Sequence, residues 1–302
     1  MVISKVMAKL RVLLIGCGDV AMRAATMLSP NFRLYGLTRH PDQHPLLRAA
    51  GITPIAGDLD FPRTLARLSI RPYAVLHFAP PPASGEDDTR TRNLIARLGA
   101  ARSLPRTVVY ISTTGVYGDC GGERIDETRP SAPATGRARR RVAAENRLRR
   151  WAERSDVRIS ILRAPGIYAR DRLPIDRLQR AVPALIDADD VYTNHIHADD
   201  LARASIHAIF RAGPQRAYNV TDDAQWKMGE YFDRVADAFG LPHPPRITAR
   251  EADTMLPPIQ RSFMRESRRL LNARAKRELR WRPTYATPAV LLAQLHAEEG
   301  KT

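Results

Sequence analysis

The sequence predicts an α/β fold: a Rossmann-type, doubly wound, mainly parallel sheet with a smaller, mostly helical C-terminal substrate domain. Three observations predict it. Short apolar runs alternate with helix-forming stretches, the first run ends in a glycine-rich turn, and the regularity fades after Tyr168. Strands covered on both faces read as continuous apolar runs, as these do.

The elements follow in order. Leu10 to Ile15 is an apolar, β-favouring first strand, and a helix is expected from Ala21 to Leu28, ended by Ser29-Pro30. Phe32 to Leu37, Ile52 to Ile55, Ala74 to Phe78 and Thr107 to Ile111 read as strands two to five. Helices are expected between them over Leu46 to Ala50, Pro62 to Leu68 and Thr89 to Ala101. A basic helix spans Arg137 to Arg154, with Ala144, Leu148, Trp151 and Ala152 on one face. Arg158 to Leu162 is a sixth strand, and Tyr218 to Asp222 is a short strand returning to the sheet. The expected division is a nucleotide domain of residues 1–168, rejoined by 196–223, and a cleft domain of 169–195 and 224–302.

Composition narrows the function classes. A hydrophobic share of 44% over 302 residues excludes wholesale disorder. Two cysteines, Cys17 and Cys120, are too few for a disulfide framework or a cysteine-based metal cluster, which suits a reducing cytoplasm. The stretch Met1 to Leu10 lacks the apolar core of a signal peptide, and no apolar run approaches the ~20 residues of a membrane span. The formal net charge is +16, and 43 of the 48 basic residues are arginine. Without a nucleic-acid motif or interleaved aromatics, these arginines are expected to coat helix surfaces rather than bind nucleic acid.

The chemistry begins at Gly16-Cys17-Gly18-Asp19-Val20-Ala21, the pattern G-x-G-x-x-G/A between a strand and a helix. There the first glycine permits the turn and the second admits a pyrophosphate. The small third residue lets the helix pack close. Strand two ends in Thr38-Arg39-His40, where an NAD site would carry an acid. A guanidinium matches a 2′-phosphate, so NADP is expected, with NAD as the alternative.

Further motifs occur in order: Gly57-Asp58-Leu59, His77-Phe78-Ala79-Pro80, Ile111 to Asp119, Leu162 to Tyr168, Asn194 to Ala202, Tyr218 to Asp223 and Asn272 to Trp281. Along nearly its whole length the chain resembles an atypical member of the extended short-chain dehydrogenase/reductase superfamily, the branch with nucleotide-sugar epimerases and dehydratases. The resemblance implies that Asp58 and Leu59 lie against adenine and that Ala79 and Pro80 pass beneath the ribose. It puts Thr113 at the catalytic Ser/Thr position and Ala164 to Ile167, including Pro165, along the nicotinamide. Thr193 to Asp200 would close the substrate cleft, with Tyr117, Asn194 and His195 as substrate contacts.

One departure stands out. The family's Tyr-x-x-x-Lys pair belongs in Ala134 to Glu145, where there is neither Tyr nor Lys. Matching Gly136 puts Thr135 and Arg139 at those positions, and matching Glu145 puts Arg137 and Arg141 there. Arg139 is taken as a ribose contact; an arginine cannot serve as the proton-transfer base. The proton must then come from Tyr117, Tyr168, Tyr192, His77, His195 or His197, of which His197 is the first choice. Asp199 and Asp200 are expected to cap a helix starting at Leu201, and no metal is expected. The leading expectation is an NADP-dependent oxidoreductase or epimerase/dehydratase-like enzyme for a nucleotide-linked or other anionic hydroxylated small molecule. The alternative is a catalytically inactive NADP(H) sensor or interaction module. The resemblance implies homodimerisation through the Arg137 to Arg154 helix, against which its eight arginines argue.

Overall fold

Val12 to Ile15 have no exposed surface and stand inside a seven-stranded sheet, in a computed structural model that describes residues 9–100 and 104–299. The stretch before Lys9, read as lacking a leader, and the expected helix end at Ala101 lie outside the described residues. The strands are β1 (Arg11–Ile15), β2 (Arg33–Thr38), β3 (Ile52–Ala56), β4 (Ala74–His77), β5 (Thr107–Thr113), β6 (Arg124–Ile125), β7 (Arg158–Ala164), β8 (Gly166–Tyr168), β9 (Ala184–Leu185), β10 (His195–His197), β11 (Arg216–Asn219), β12 (Arg246–Ile247) and β13 (Arg269–Leu270). The main sheet runs β11-β7-β5-β4-β1-β2-β3. β1 pairs in parallel with both β2 and β4, setting Leu13 beside Tyr35 and Ile15 beside His77. The chain order therefore reverses on either side of β1. In open α/β sheets, ligands bind beyond the strand ends at such a switch point.

The chain divides into two compact units. The first comprises Met1–Ser112, Ala143–Leu162 and Ala202–Arg216. Its helix α1 (Asp19–Leu28) starts two residues earlier than expected and buries Ala21, Ala24, Ala25 and Leu28. That i, i+3, i+4, i+7 spacing is one helical stripe, and three alanines in it keep the helix close to the sheet. α2 (His44–Ala49) and α3 (Thr89–Gly99) follow. The Asp88 carboxylate caps α3 by accepting the Thr91 N–H at 3.0 Å. Pro62–Arg67 is a 3-10 helix rather than an α-helix.

The second unit comprises Thr113–Val142, Arg163–Leu201 and Ala217–Thr302. The remaining helices are α4 (Gly136–Ala152), α5 (Ile175–Gln179), α6 (Ala198–Arg211), α7 (Met228–Ala238), α8 (Ala249–Met255), α9 (Pro258–Phe263), α10 (Ala273–Glu278) and α11 (Pro288–Glu299). Tyr231, Phe232, Val235 and Ala236 of α7 pack with Leu178, Ala184 and Leu292. Three two-stranded parallel pieces, β8/β10, β9/β12 and β6/β13, were not expected; strands of two or three residues are too short to show a period.

Two expectations are corrected here. α6 begins at Ala198 rather than Leu201, so Asp199 and Asp200 lie inside its first turn, and His197 Nδ1 accepts the Asp199 N–H at 3.2 Å. Asp200 is fully buried and its two oxygens accept the backbone N–H groups of Thr284 and Tyr285, each at 2.9 Å. Trp281, also fully buried, donates its indole N–H to the Asp200 carbonyl. Nor are all the arginines a surface coat. Arg163 is buried with its guanidinium 4.8 Å from the Tyr117 ring centre, and Arg140 is buried too. Among the described residues no helix is long and apolar enough to cross a membrane, and no three His, Cys, Asp or Glu are grouped to hold a metal ion.

Candidate functional site

After β1 the chain turns on Gly16 at φ +85°, a left-handed conformation that favours glycine. A Cβ there would stand 2.8 Å from Ala79 N, and that N–H is already held by the Ile15 carbonyl. The protein's own packing thus requires Gly16. Gly18 is different. Its φ of −82° suits any residue, and a Cβ there would meet nothing within 4 Å. Neither conformation nor packing asks for a glycine at that position, and the space beside its backbone is open. Gly18 is also the N-cap of α1, where N–H groups and the helix dipole favour a phosphate. The turn fits a dinucleotide pyrophosphate.

Gly16, Cys17 and Gly18 share a cavity of about 230 Å³ with Asp58, Leu59, Ala79 and Pro80. Arg39 stands on its wall, as does Arg90, which no sequence motif marks. Arg90 clamps Asp60 with two hydrogen bonds of 2.8 and 2.7 Å, and this holds the Asp60 carboxyl below its usual range. Arg39 Nη1 lies 3.9 Å from the same carboxylate and its side chain is half exposed. Asp19, Val20 and Ala21 belong to the first turn of α1 and do not line the cavity; Asp19 pairs with Arg23 at 2.9 Å. The Cys17 thiol donates to the Leu37 carbonyl, and burial pushes its pKa up to about 12. Iodoacetamide at pH 8 should therefore leave Cys17 unalkylated in the native protein, as peptide mass mapping would report; rapid modification would contradict that environment.

The second unit carries its own cavity, of about 290 Å³. Thr113, Pro165 and Asn194 line it, together with Arg137, Tyr192 and Arg268. Of the two registers left open for α4, the structure brings Arg137 to the cavity that Thr113 lines. Arg139 lines neither cavity: two residues further along the helix it faces away, and its Nη1 donates to the Ala134 carbonyl. The Arg137 guanidinium sits 4.5 Å from the centre of the Phe263 ring. Arg268 donates to the Gly118 carbonyl at 2.6 Å and pairs with Glu266 at 2.9 Å. The Asn194 side chain is a strut, donating to the Arg268 carbonyl and accepting the Leu270 N–H.

The remaining expected site residues are closed in. Tyr117 is buried and donates to Asn219 Oδ1 at 2.7 Å. His197 is buried, takes the Asp199 N–H and stacks on Tyr285 at 3.7 Å between ring centres, so it does not line the cavity as expected. His195 is buried against the Tyr231 ring at 4.0 Å, and burial lowers its pKa to about 3. Ala164 is buried at the end of β7. His77 is fully buried, hydrogen-bonded to Thr91 Oγ1, whose hydroxyl reaches Asp88.

The chain matches the model of the NAD dependent epimerase/dehydratase family over residues 23–221. It belongs to that family. A 3-diazoavenalumate denitrifying reductase from a Streptomyces species is 27% identical over 252 residues, covering 76% of this chain and 82% of that protein. Among solved structures, a conserved protein of unknown function from Silicibacter pomeroyi is 30% identical, with a TM-score of 0.77 over 95% of this chain and 98% of that one. The Thermotoga maritima UDP-glucose 4-epimerase, solved with UDP-glucose, superposes with the same TM-score of 0.77 at 17% identity, over 97% of this chain and 99% of that chain. At that identity it attests the fold alone. The epimerase/dehydratase family and the seven-stranded α/β fold are therefore those that the motifs pointed to.

Proposed function

We propose that the protein is an NADP(H)-dependent oxidoreductase that reduces or oxidises an anionic, hydroxylated or carbonyl-bearing small molecule. The observation that carries the cofactor choice is the wall of the first cavity. Arg39 stands there at the end of β2, and the nearby acid, Asp60, is already clamped by Arg90. A 2′-phosphate would be met by guanidinium groups in fork geometry. Asp58 and Leu59 would take the adenine, and Ala79 and Pro80 the ribose. The cofactor supplies hydride chemistry when bound. Arg137 and Arg268 in the second cavity support an anionic substrate, and the reductase among the relatives favours reduction over epimerisation.

The test is a titration. NADPH should bind more tightly than NADH, and Arg39→Ala should weaken NADPH by roughly 1.5–3 kcal/mol, about 10- to 150-fold, while NADH changes little. Equal midpoints for the two cofactors in the wild-type protein would end the argument for NADP.

One observation favours a second reading, a cofactor-binding sensor without catalysis. No Tyr or Lys lies on α4, and five of the six candidate proton donors are buried. Tight NADP(H) binding with no hydride exchange across a broad carbonyl and nucleotide-sugar panel, and no effect of Thr113→Ala in vivo, would select that reading.

A further inference from the structure

We propose that Tyr192 is the catalytic proton-transfer group, standing in for the Tyr that α4 lacks; the assignment rests on the oxidoreductase reading above. Tyr117, Tyr168, His77, His195 and His197 are all buried, and of the six candidates Tyr192 alone lines the second cavity. The other ionisable side chains on that wall are unsuited to the task. Arg137 and Arg268 carry guanidinium groups, which do not serve as proton-transfer acids or bases, and Glu266 is tied to Arg268 at 2.9 Å. The Tyr192 hydroxyl makes no hydrogen bond among the described residues, so its proton is not committed elsewhere.

The ring is held from several sides. The Tyr192 N–H donates to Ser267 Oγ at 3.0 Å, and its backbone forms a bridge with Lys227. The Arg269 guanidinium covers one ring face at 4.6 Å. Gly122, at φ +74°, leaves room for the ring edge; a Cβ there would stand 3.1 Å from Cδ2. Charged groups around it are Arg137, Arg268 and Glu266 on the cavity wall, Arg269 over the ring, and Lys227, whose ammonium pairs with Asp187 at 2.8 Å. Three guanidinium groups against one carboxylate favour an oxygen that gains negative charge during reaction.

A carbonyl carbon that receives a hydride leaves its π electron pair on oxygen. That oxygen takes the proton from Tyr192 Oη, and the phenolate regains one from solvent. Oxidation of an alcohol runs the same transfers in reverse. Thr113 Oγ1 accepts the Gly115 N–H at 3.3 Å, which leaves its own proton to donate to the substrate oxygen beside Tyr192.

The experiment uses the full chain with NADPH and two probes: phenylglyoxylate, an anionic keto acid, and 9,10-phenanthrenequinone, a neutral diketone. The protein should reduce phenylglyoxylate, and Tyr192→Phe should lower kcat by ~10²- to 10⁴-fold, the usual worth of a placed acid or base. NADPH affinity, read by its fluorescence, should stay within about twofold, as expected for a group that meets substrate rather than cofactor. A readout independent of turnover is tyrosine nitration by tetranitromethane, mapped by mass spectrometry. Tyr192 should be nitrated, and phenylglyoxylate should protect it. A Tyr192→Phe protein with near wild-type kcat, or nitration that phenylglyoxylate does not slow, overturns the assignment. So does a wild-type protein that binds NADPH yet reduces neither probe, with the cofactor reading left standing. Failure to bind NADPH at all overturns the cofactor reading itself.

Discussion

Gly18→Ala should leave the melting temperature unchanged or slightly raised and yet cost more than ~100-fold in NADPH affinity; Gly16→Ala should do damage of another kind. The contrast follows from what each missing Cβ would meet. At Gly18 there is no neighbour within 4 Å and the backbone is in an ordinary conformation, so alanine folds without strain and lowers the entropy of the unfolded chain. The added methyl stands where a pyrophosphate must come close to the turn, and displacing the phosphates forfeits charge-assisted hydrogen bonds to the N-terminus of α1. At Gly16 the methyl would stand 2.8 Å from Ala79 N in a backbone with φ +85°. Strain of about 1–3 kcal/mol from the conformation adds to a similar overpacking term. The expected loss is roughly 2–6 kcal/mol, seen as a fall of about 3–10 °C in the melting temperature. Circular dichroism melts and fluorescence titrations of the two variants decide the matter. A destabilised Gly18→Ala with normal affinity would mean that the turn does not hold the cofactor.

Asp200→Ala should destabilise the protein by roughly 2–5 kcal/mol. The substitution removes a fully buried carboxylate and its two charge-assisted hydrogen bonds, to Thr284 N and Tyr285 N, each worth about 1.5–3 kcal/mol. Asp200→Asn keeps one carbonyl oxygen and should lose about half as much. Urea unfolding measures both. An Asp200→Ala protein with the wild-type midpoint would show that the segment 281–285 does not depend on this carboxylate. A metal-binding role would predict chelator sensitivity instead.

What could be read in advance was local. Leu10 to Ile15 followed by Gly16-Cys17-Gly18 announces a strand, a turn and a helix start within a dozen residues, and each holds in the structure. The inner strands were legible because burial on both faces leaves few residue types to choose from. The cavity walls were harder. Arg90 reaches Asp60 across thirty residues, and nothing in either neighbourhood marks the pair. His197 looked attractive because the family resemblance implied that its motif closes the substrate cleft. Which way a side chain turns depends on tertiary packing, and the ring turns onto Tyr285. Tyr192 lay among the candidates, but with no periodic pattern around it only the folded chain could bring it into the cavity that Thr113 lines. Arg137 was one of two registers, and two residues, about 200° around the helix, separate it from Arg139.

The half-buried thiol of Cys17 has a consequence for how the protein meets oxidative stress. A cysteine in a glycine-rich turn, at the positive end of a helix, would ordinarily be an early target of peroxide, since thiolate is the reactive form. Here the sulfur is turned to the Leu37 carbonyl and kept protonated far above neutral pH. Hydrogen peroxide should therefore oxidise Cys17 slowly. Under the oxidoreductase reading, NADPH affinity should therefore survive a peroxide treatment that disables enzymes with an exposed thiolate.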